Sequence, residues 1–448
     1  MASLARRGGR PPRGRSLLLG AAFALAVAPS CRPGPAEQPQ AARADGLTAS
    51  GASSANAVPK GPVDGARNDF FAPEKIAALP AAERDRWRAY LAVSEQKSAA
   101  DRATMDVELR ALAQAKMKPA PFSKAFRVDE RMTDDWFVTE EARRFADNIL
   151  SFQTPSGGWS KHVDYSAAPR QKGQSYYSEN DNWSYIATID NDSTTEQLHF
   201  LARIHRAHAE ERYRDAFVKG VEYLMAAQFP SGCWPQVFPL QGGYHDAATY
   251  NDDAIINVLR LLGEVAAGEV SFAPDELRQR ARAGVDLGID CVVKSQQVVK
   301  DKLAVWAQQH DPLTLAPVSA RSYELVGLSG RESASTTLYL MSVPSPDASI
   351  VRAVHAAVDW FKAHEIFGYE YQGYELRRVE GAGPLWARLY EIGTDRPIFS
   401  NRDGVKRYEW NELVDRRRGY QWFTRAPAAV LTQYDAWAGT HARVDANR

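Results

Sequence analysis

Cysteine is scarce in this chain, with three in 448 residues, and no two stand in a CxxC arrangement. With no His-rich cluster either, nothing supports a structural zinc site. His199, His205 and His208 share one predicted helix but offer no i, i+4 pair, so they read as surface or core residues. Charge of one sign is also missing. The 55 Lys and Arg balance the 55 Asp and Glu, so nothing global points to a nucleic-acid partner, and charge logic must be local. Strand signals are few. The longest early apolar run, Leu17 to Ala28, is shorter than the roughly 20 residues that a permanent membrane span needs. Aromatics, by contrast, are plentiful at 11 Trp and 18 Tyr. That supply suits stacking on sugar rings, although most aromatics are core.

The first residues read as an export signal. Arg6, Arg7, Arg10, Arg13 and Arg15 precede the apolar run, and Ala28-Pro29-Ser30-Cys31 resembles a bacterial lipoprotein box in which the cysteine is lipidated. Residues 1–31 are therefore expected to be a lipoprotein-type signal, and the protein to be secreted or lipid-anchored through Cys31 to the bacterial envelope. Residues 32–66, rich in Ala, Gly, Pro and Ser, cannot bury enough surface to offset their ordering entropy and read as a flexible linker. Across 67–118, Trp87, Tyr90, Leu91 and Val93, then Met105, Leu109, Leu112 and Met117, fall at helical spacings. Two amphipathic helices are expected there. With Cys31 set aside, Cys233 and Cys291 remain, and they either pair or stand as separate buried thiols. The second reading is preferred, because spacing cannot decide.

From residue 119 onward a repeat defines the fold. A predicted helix (Ala142 to Phe152) ends in Gln153-Thr154-Pro155-Ser156-Gly157-Gly158-Trp159, and a second (Tyr213 to Ala227) ends in Gln228-Phe229-Pro230-Ser231-Gly232-Cys233-Trp234. Gln to Gln and Trp to Trp both measure 75 positions. After each Trp come a long polar loop, an acid and amide cluster, and a new helix. The clusters are Asp190-Asn191-Asp192 and Asn251-Asp252-Asp253. Weaker third and fourth rounds carry Trp306, Arg321 and Ser329-Gly330-Arg331-Glu332, then Trp386-Ala387-Arg388. Repetition at a fixed period means stacked or ring-arranged units. With so few strand signals, the expected fold is all-α, an (α/α) toroid of helix hairpins over 119–448. Its long loops gather at one end, where Asp190, Asp252 and Arg321 face one cleft.

Ser193 with Glu196 and Thr194 with Gln197 fit capping-box spacing. Asp190 and Asn191 are then free of capping duty, and such oxygen donors suit a hard cation. A plainer reading makes them turn formers and caps.

Six runs together resemble the pectate lyases of polysaccharide lyase family ten. They are Ser156-Gly157-Gly158-Trp159-Ser160-Lys161, Thr188-Ile189-Asp190-Asn191-Asp192, Tyr250-Asn251-Asp252-Asp253, Ser319-Ala320-Arg321-Ser322-Tyr323-Glu324, Trp386-Ala387-Arg388 and Phe399-Ser400-Asn401-Arg402-Asp403-Gly404. They occur in the family's order across roughly 120 to 430. The resemblance implies a three-fold toroid and calcium-dependent anti β-elimination on polygalacturonate. It implies that Asp190, Asn191 and Asp252 hold Ca2+, with Asp253 the alternative to Asp252. Arg321 is implied as the base that takes the C5 proton, and Arg388, Arg402 and Lys161 as contacts for substrate carboxylates. Trp159 and Tyr250, within two of the runs, join them as substrate-binding candidates, although Trp159, like Trp234, reads first as packing under its Gly turn. The expected protein is a monomer that acts on pectate.

An arginine base is chemically awkward, because a guanidinium pKa lies above about 12. Neighbouring cations would lower it, which predicts an alkaline optimum. Plainer readings stand beside each assignment. Arg321 and Glu324 form an ordinary salt bridge, Arg388 packs its stem between Trp386 and Tyr390, and Arg416-Arg417-Arg418 is a solvated helix face. Two rival functions follow: an inverting glycoside hydrolase using Asp190 and Asp252, and a non-catalytic pectin-binding lipoprotein.

Overall fold

The structure, a computed structural model, describes residues 69–443 apart from 125, 129–130 and 179–184. The expected signal, Cys31 and the 32–66 linker lie outside the described residues. Eleven α-helices occur among those described: α1 (Pro73–Ala77), α2 (Ala81–Ala111), α3 (Asp134–Phe137), α4 (Glu140–Ser151), α5 (Thr195–His208), α6 (Glu211–Ala227), α7 (Ala254–Ala267), α8 (Asp275–Ser295), α9 (Glu332–Ser342), α10 (Ala348–Ala363) and α11 (Ala426–Ala438).

Short links join α5 to α6, α7 to α8 and α9 to α10, making three helix hairpins. Helices α5, α7 and α9 neighbour one another in one layer, and α4, α6, α8 and α10 in a second layer outside it. This is the expected (α/α) toroid. The inner helix α7 is apolar over most of its surface: Ile255, Ile256, Val258, Leu259, Leu261 and Leu262 are all buried, each contributing about 1.5–3 kcal/mol.

Two side chains explain the repeated motif. Trp159, Trp234, Trp306 and Trp386 are fully buried. Their indole N–H groups donate to Ile149 O, Leu224 O, Val292 O and Phe361 O at 2.8, 2.7, 2.7 and 2.9 Å. Those carbonyls lie in the last turns of α4, α6, α8 and α10, where a helix leaves carbonyls without internal partners. Each glutamine ties its own turn to the next outer helix. Gln153 Nε2 donates to Gly157 O and Ala216 O at 2.7 and 2.9 Å, Gln228 Nε2 to Gly232 O and Gly284 O, both at 2.8 Å, and Gln296 Nε2 to Ala304 O and Ala353 O at 2.9 and 3.0 Å.

The long loops are stitched together by two-residue antiparallel ribbons. Ala187–Thr188 pairs with Val237–Phe238, Ala248–Thr249 with Gln309–His310, and Leu328–Ser329 with Leu389–Tyr390. Each ribbon joins one round's loop to the next, so the loops share one end of the molecule.

Several expectations are corrected. The extension does not form two amphipathic helices: α2 is a single helix of 31 residues carrying both Trp87 and Met105. It docks by Tyr90, whose hydroxyl donates to Ala227 O at 3.1 Å, and by Glu108, which takes Arg170 on both oxygens at 3.0 and 2.7 Å. Neither capping box forms at α5. Thr194 Oγ1 is drawn to the Trp159 backbone, accepting its N–H at 3.0 Å, and Glu196 accepts the Val128 N–H at 2.9 Å.

Cys233 and Cys291 form a disulfide, not separate thiols. Repeat geometry supplies the reason. Cβ atoms placed at Gly157 and Gly232 would meet Lys219 O and Leu287 O at 2.7 and 2.1 Å, and ones at Gly220 and Gly288 would meet the rings of Trp159 and Trp234 at 2.9 Å. Tyr223, three residues beyond Gly220, therefore corresponds to Cys291. The first round sets Gly158 against the Tyr223 ring, and the second fills the same place with a covalent bond.

Candidate active site

Equivalent turns carry the acid and amide clusters. Thr188 N and Thr249 N donate to Trp159 O and Trp234 O at 3.0 and 3.1 Å, which makes Asn191 the counterpart of Asp252. Both have a left-handed backbone, with φ of 52°, a region that Asn and Asp enter more readily than other side chains. Their side chains meet across the two rounds, Asn191 Nδ2 donating to Asp252 Oδ2 at 3.3 Å. Asp252 Oδ2 also accepts from Asn251 Nδ2 at 3.0 Å. Arg331 reaches both neighbours, Asp252 at 3.4 Å and Asp253 at 3.7 Å, but of the two Asp252 lines the cleft.

That cleft encloses about 400 Å³ and is walled by Lys161, Asp190, Asn191, Asp252, Arg321, Glu324 and Arg388, with Tyr374 and Tyr420. Lys161 Nζ lies 2.6 Å from Asp190 Oδ2. Burial pushes the Asp190 carboxyl up, but the charge and hydrogen bond of Lys161, helped by Arg321, hold it below the usual range. Asp252 goes the other way: burial raises it, and the Asp190 charge adds to the effect against Arg388 and Arg331.

Arg388 is buried, yet not between Trp386 and Tyr390. Its guanidinium lies 4.5 Å from the Tyr420 ring centroid, and Nη2 donates to Glu332 Oε1 at 2.6 Å and Asn251 Oδ1 at 3.0 Å. Its Nε is buried without an acceptor. Glu332 is a site residue that the sequence does not single out, because its spacing from Ser329 equally fits a helix cap. Ser329 Oγ does accept the Glu332 N–H at 3.2 Å, but the carboxylate faces Arg388 and Arg331. Against the upward push of burial, those two cations hold it down to about 2.

Arg321 forms the plain salt bridge with Glu324 and still lines the cleft. Burial lowers its pKa, but the hydrogen bonds and charge of Glu324 outweigh that and raise it above the ordinary arginine value. The expectation that neighbouring cations depress it therefore omits its nearest partner. Arg402 is not among the lining residues; its guanidinium stands 5.9 Å from the Tyr323 ring. Arg416 covers that same ring at 4.0 Å, and Arg416 to Arg418 lie in a loop, not on a helix face. Trp159 and Tyr250 are 0 and 1 % exposed, so neither presents a face to a ligand; they are scaffold.

Among the described residues no group of three or more His, Cys, Asp or Glu is placed to hold a metal. Two carboxylates and an amide do stand together at the cleft wall as a set of oxygen donors. Such a set fits a hard cation, which would share Asp252 with Arg331 and Arg388 at 3.4 and 3.6 Å. Two carboxylates cannot fill about six to eight calcium positions, so substrate and water must complete the shell.

Residues 153–431 match the family model described as pectic acid lyase. The chain is similar to a family 10 polysaccharide lyase from Cellvibrio cellulosa, at 31% identity over 72% of this chain and 99% of that one, with a TM-score of 0.60. It is also similar to a mutant family 10 lyase from that organism in complex with trigalacturonic acid, at 32% identity over 69% and 96%, again with a TM-score of 0.60. No curated protein matches the chain.

Proposed function

The chain belongs to the pectic acid lyase family and is a polysaccharide lyase, and on that footing we propose that it cleaves unesterified α-1,4-polygalacturonate by calcium-dependent anti β-elimination. One observation carries the reading: Lys161, Arg321 and Arg388 share a cleft with Asp190, Asn191 and Asp252. Cations around a hard-cation donor set suit a polyanionic sugar and its metal better than a neutral glycan.

In this reading Asp190, Asp252 and Asn191 hold the calcium. Bound there, calcium would offset the charge that develops on the uronate carboxylate as C5 loses its proton. Arg388, pinned by Glu332 with its Nε lacking an acceptor, grips a substrate carboxylate. Arg402 with Arg416, around Tyr323, meets the polymer further out. Arg321 takes the C5 proton. The C–H electron pair becomes the C4–C5 double bond, the C4–O bond breaks, and the departing oxygen takes a proton from water. A guanidine can accept that proton only when neutral. Burial favours the neutral form and Glu324 opposes it more strongly, which confines activity to the alkaline side.

The hydrolase reading has less support, because Lys161, Arg321 and Arg388 around the acid pair suit a polyanionic sugar better than a neutral glycan. Export, with or without a lipid on Cys31, belongs to the same proposal and rests on the N-terminal run of Arg and apolar residues.

The test is ultraviolet absorbance of polygalacturonate digests. Absorbance that needs calcium, stops with excess chelator and is lost in Arg321→Ala supports the reading. Polymer shortening without absorbance sinks it, and binding without turnover leaves a carbohydrate-binding protein.

A further inference from the structure

The fourth round carries an insertion. Trp159 and Trp234 follow their helices by 8 and 7 residues (151 to 159, 227 to 234), whereas Trp386 follows α10 by 23 (363 to 386). The extra chain forms a hairpin, Tyr369–Gln372 against Glu375–Arg378. Its two-residue turn is Gly373-Tyr374, with φ of 57° and 63°. A turn with both central residues left-handed normally takes Gly, Asn or Asp. A Cβ at Gly373 would meet nothing within 4 Å, so that glycine serves the backbone alone. Tyr374 accepts the same backbone with a bulky ring attached. Such residues persist where the surroundings or the function demand them.

Tyr374 lines the cleft with Asp190, Asp252, Arg321 and Arg388, and the base of its hairpin is firmly placed. The Tyr371 ring lies 5.7 and 5.4 Å from those of Trp410 and Phe423. Its hydroxyl donates to Tyr420 O and accepts from Trp422 N, both at 3.4 Å. Trp422 O in turn accepts the Arg388 N–H at 2.7 Å. Glu375 is braced by Arg417 and Arg418 at 3.2 and 3.6 Å. The tip is thereby held in register with Arg388, three residues beyond a tyrosine anchored to the same wall.

We propose that Tyr374 is a sugar-stacking residue of the cleft, its ring covering one face of a uronate whose carboxylate the arginines hold. The inference rests on the pectate reading of the same site. An aromatic face packs against the C–H face of a pyranose while charged groups secure the anion. The inserted hairpin adds such a face to a cleft wall that Tyr244 and Tyr420 also share.

Tyr374→Gly isolates the ring, because glycine suits the turn's backbone better than tyrosine does. On polygalacturonate with calcium we expect KM to rise about tenfold, with kcat within about twofold, and a melting temperature no lower than wild type. Tyr374→Phe should keep KM within about twofold of wild type. An unchanged KM in Tyr374→Gly overturns the proposal, as does Tyr374→Phe failing equally, which would place the effect on the hydroxyl. Lost kcat with a lowered melting temperature overturns it too, as a structural role. A wild-type protein that yields no unsaturated product overturns the pectate reading itself, a failure distinct from active wild type with an indifferent tip.

Discussion

Glu324 takes Arg321 from two sides, Oε2 accepting from Nε at 2.7 Å and Oε1 from Nη2 at 2.6 Å. The same Oε2 accepts the Arg321 backbone N–H at 3.1 Å. A base clamped by a carboxylate is a base held in its protonated form. Its folded pKa is raised, so the neutral, reactive fraction grows only as pH climbs. Activity is therefore expected to rise through the alkaline range without a plateau near neutrality. Glu324→Gln keeps the shape and removes the charge, and should move the rising limb of kcat/KM to lower pH by about one unit or more. A limb that stays in place removes Arg321 from the role of base.

The like-charged neighbours Asp190 and Asp252 make a second expectation. Without substrate, calcium should bind weakly, because two carboxylates and an amide leave most of its shell open. Asp252→Asn should raise the calcium concentration for half-maximal activity by roughly tenfold or more. Titration calorimetry with and without trigalacturonate measures it. Tight binding to the free protein would show that the shell is completed by the chain alone.

Glu332 and Arg388 are both buried, 2.6 Å apart. Breaking a buried pair from one side leaves the other charge exposed to a poor solvent. Glu332→Gln should cost about 3 kcal/mol or more in urea unfolding and raise KM as Arg388 loosens. The Glu332 carboxyl sits at about 2 against an ordinary 4.5, so its contribution is complete above about 4.5 and fades as pH falls towards 2. The variant should accordingly lose that part of the acid dependence.

Asp101 on α2 has the opposite sign. Burial lifts its carboxyl from 3.8 to about 6, although Ser156, Lys97 and Lys219 pull it down. A raised carboxyl stabilises the fold below its unfolded value and loses that contribution as pH rises through about 6. Asp101→Asn should flatten stability between roughly pH 4 and 6. After discounting for partial solvent screening, it should also stabilise the protein at pH 8 by about 1–2 kcal/mol. Thermal melts across that range decide it, and an unchanged slope would show that α2 docks without strain on this carboxyl.

Much of the site was legible because the repeat advertises it. Trp159 and Trp234 mark where a helix ends and a loop begins, and the turns that follow put Asn191 and Asp252 in equivalent places. The same repeat settles Trp159 as packing and not a sugar contact: what recurs in every round caps a helix and has no surface left for a sugar. Glu332 was hidden because one spacing from Ser329 serves a helix cap and a buried ion pair equally well. The disulfide was hidden because a separation of 58 residues carries no geometry until Gly220 and Gly288 are superposed. The Arg416 to Arg418 run looked like a helix face, and only the fold shows Tyr323 and Glu375 waiting for it.

The disulfide makes one wedge of this ring unlike its neighbour. In the first seam a phenol ring fills the space beside the Gly157-Gly158 turn, and packing holds it shut in any surroundings. In the second seam two sulfur atoms span the same place with far less volume. Reduced, Cys233 and Cys291 would be two small thiols facing a gap that a tyrosine occupies one round earlier. Cohesion between α8 and the turn after α6 thus answers to the electron chemistry of the medium, and that between α6 and the turn after α4 does not. A chain kept in reducing conditions would carry one soft joint in an otherwise repetitive wall.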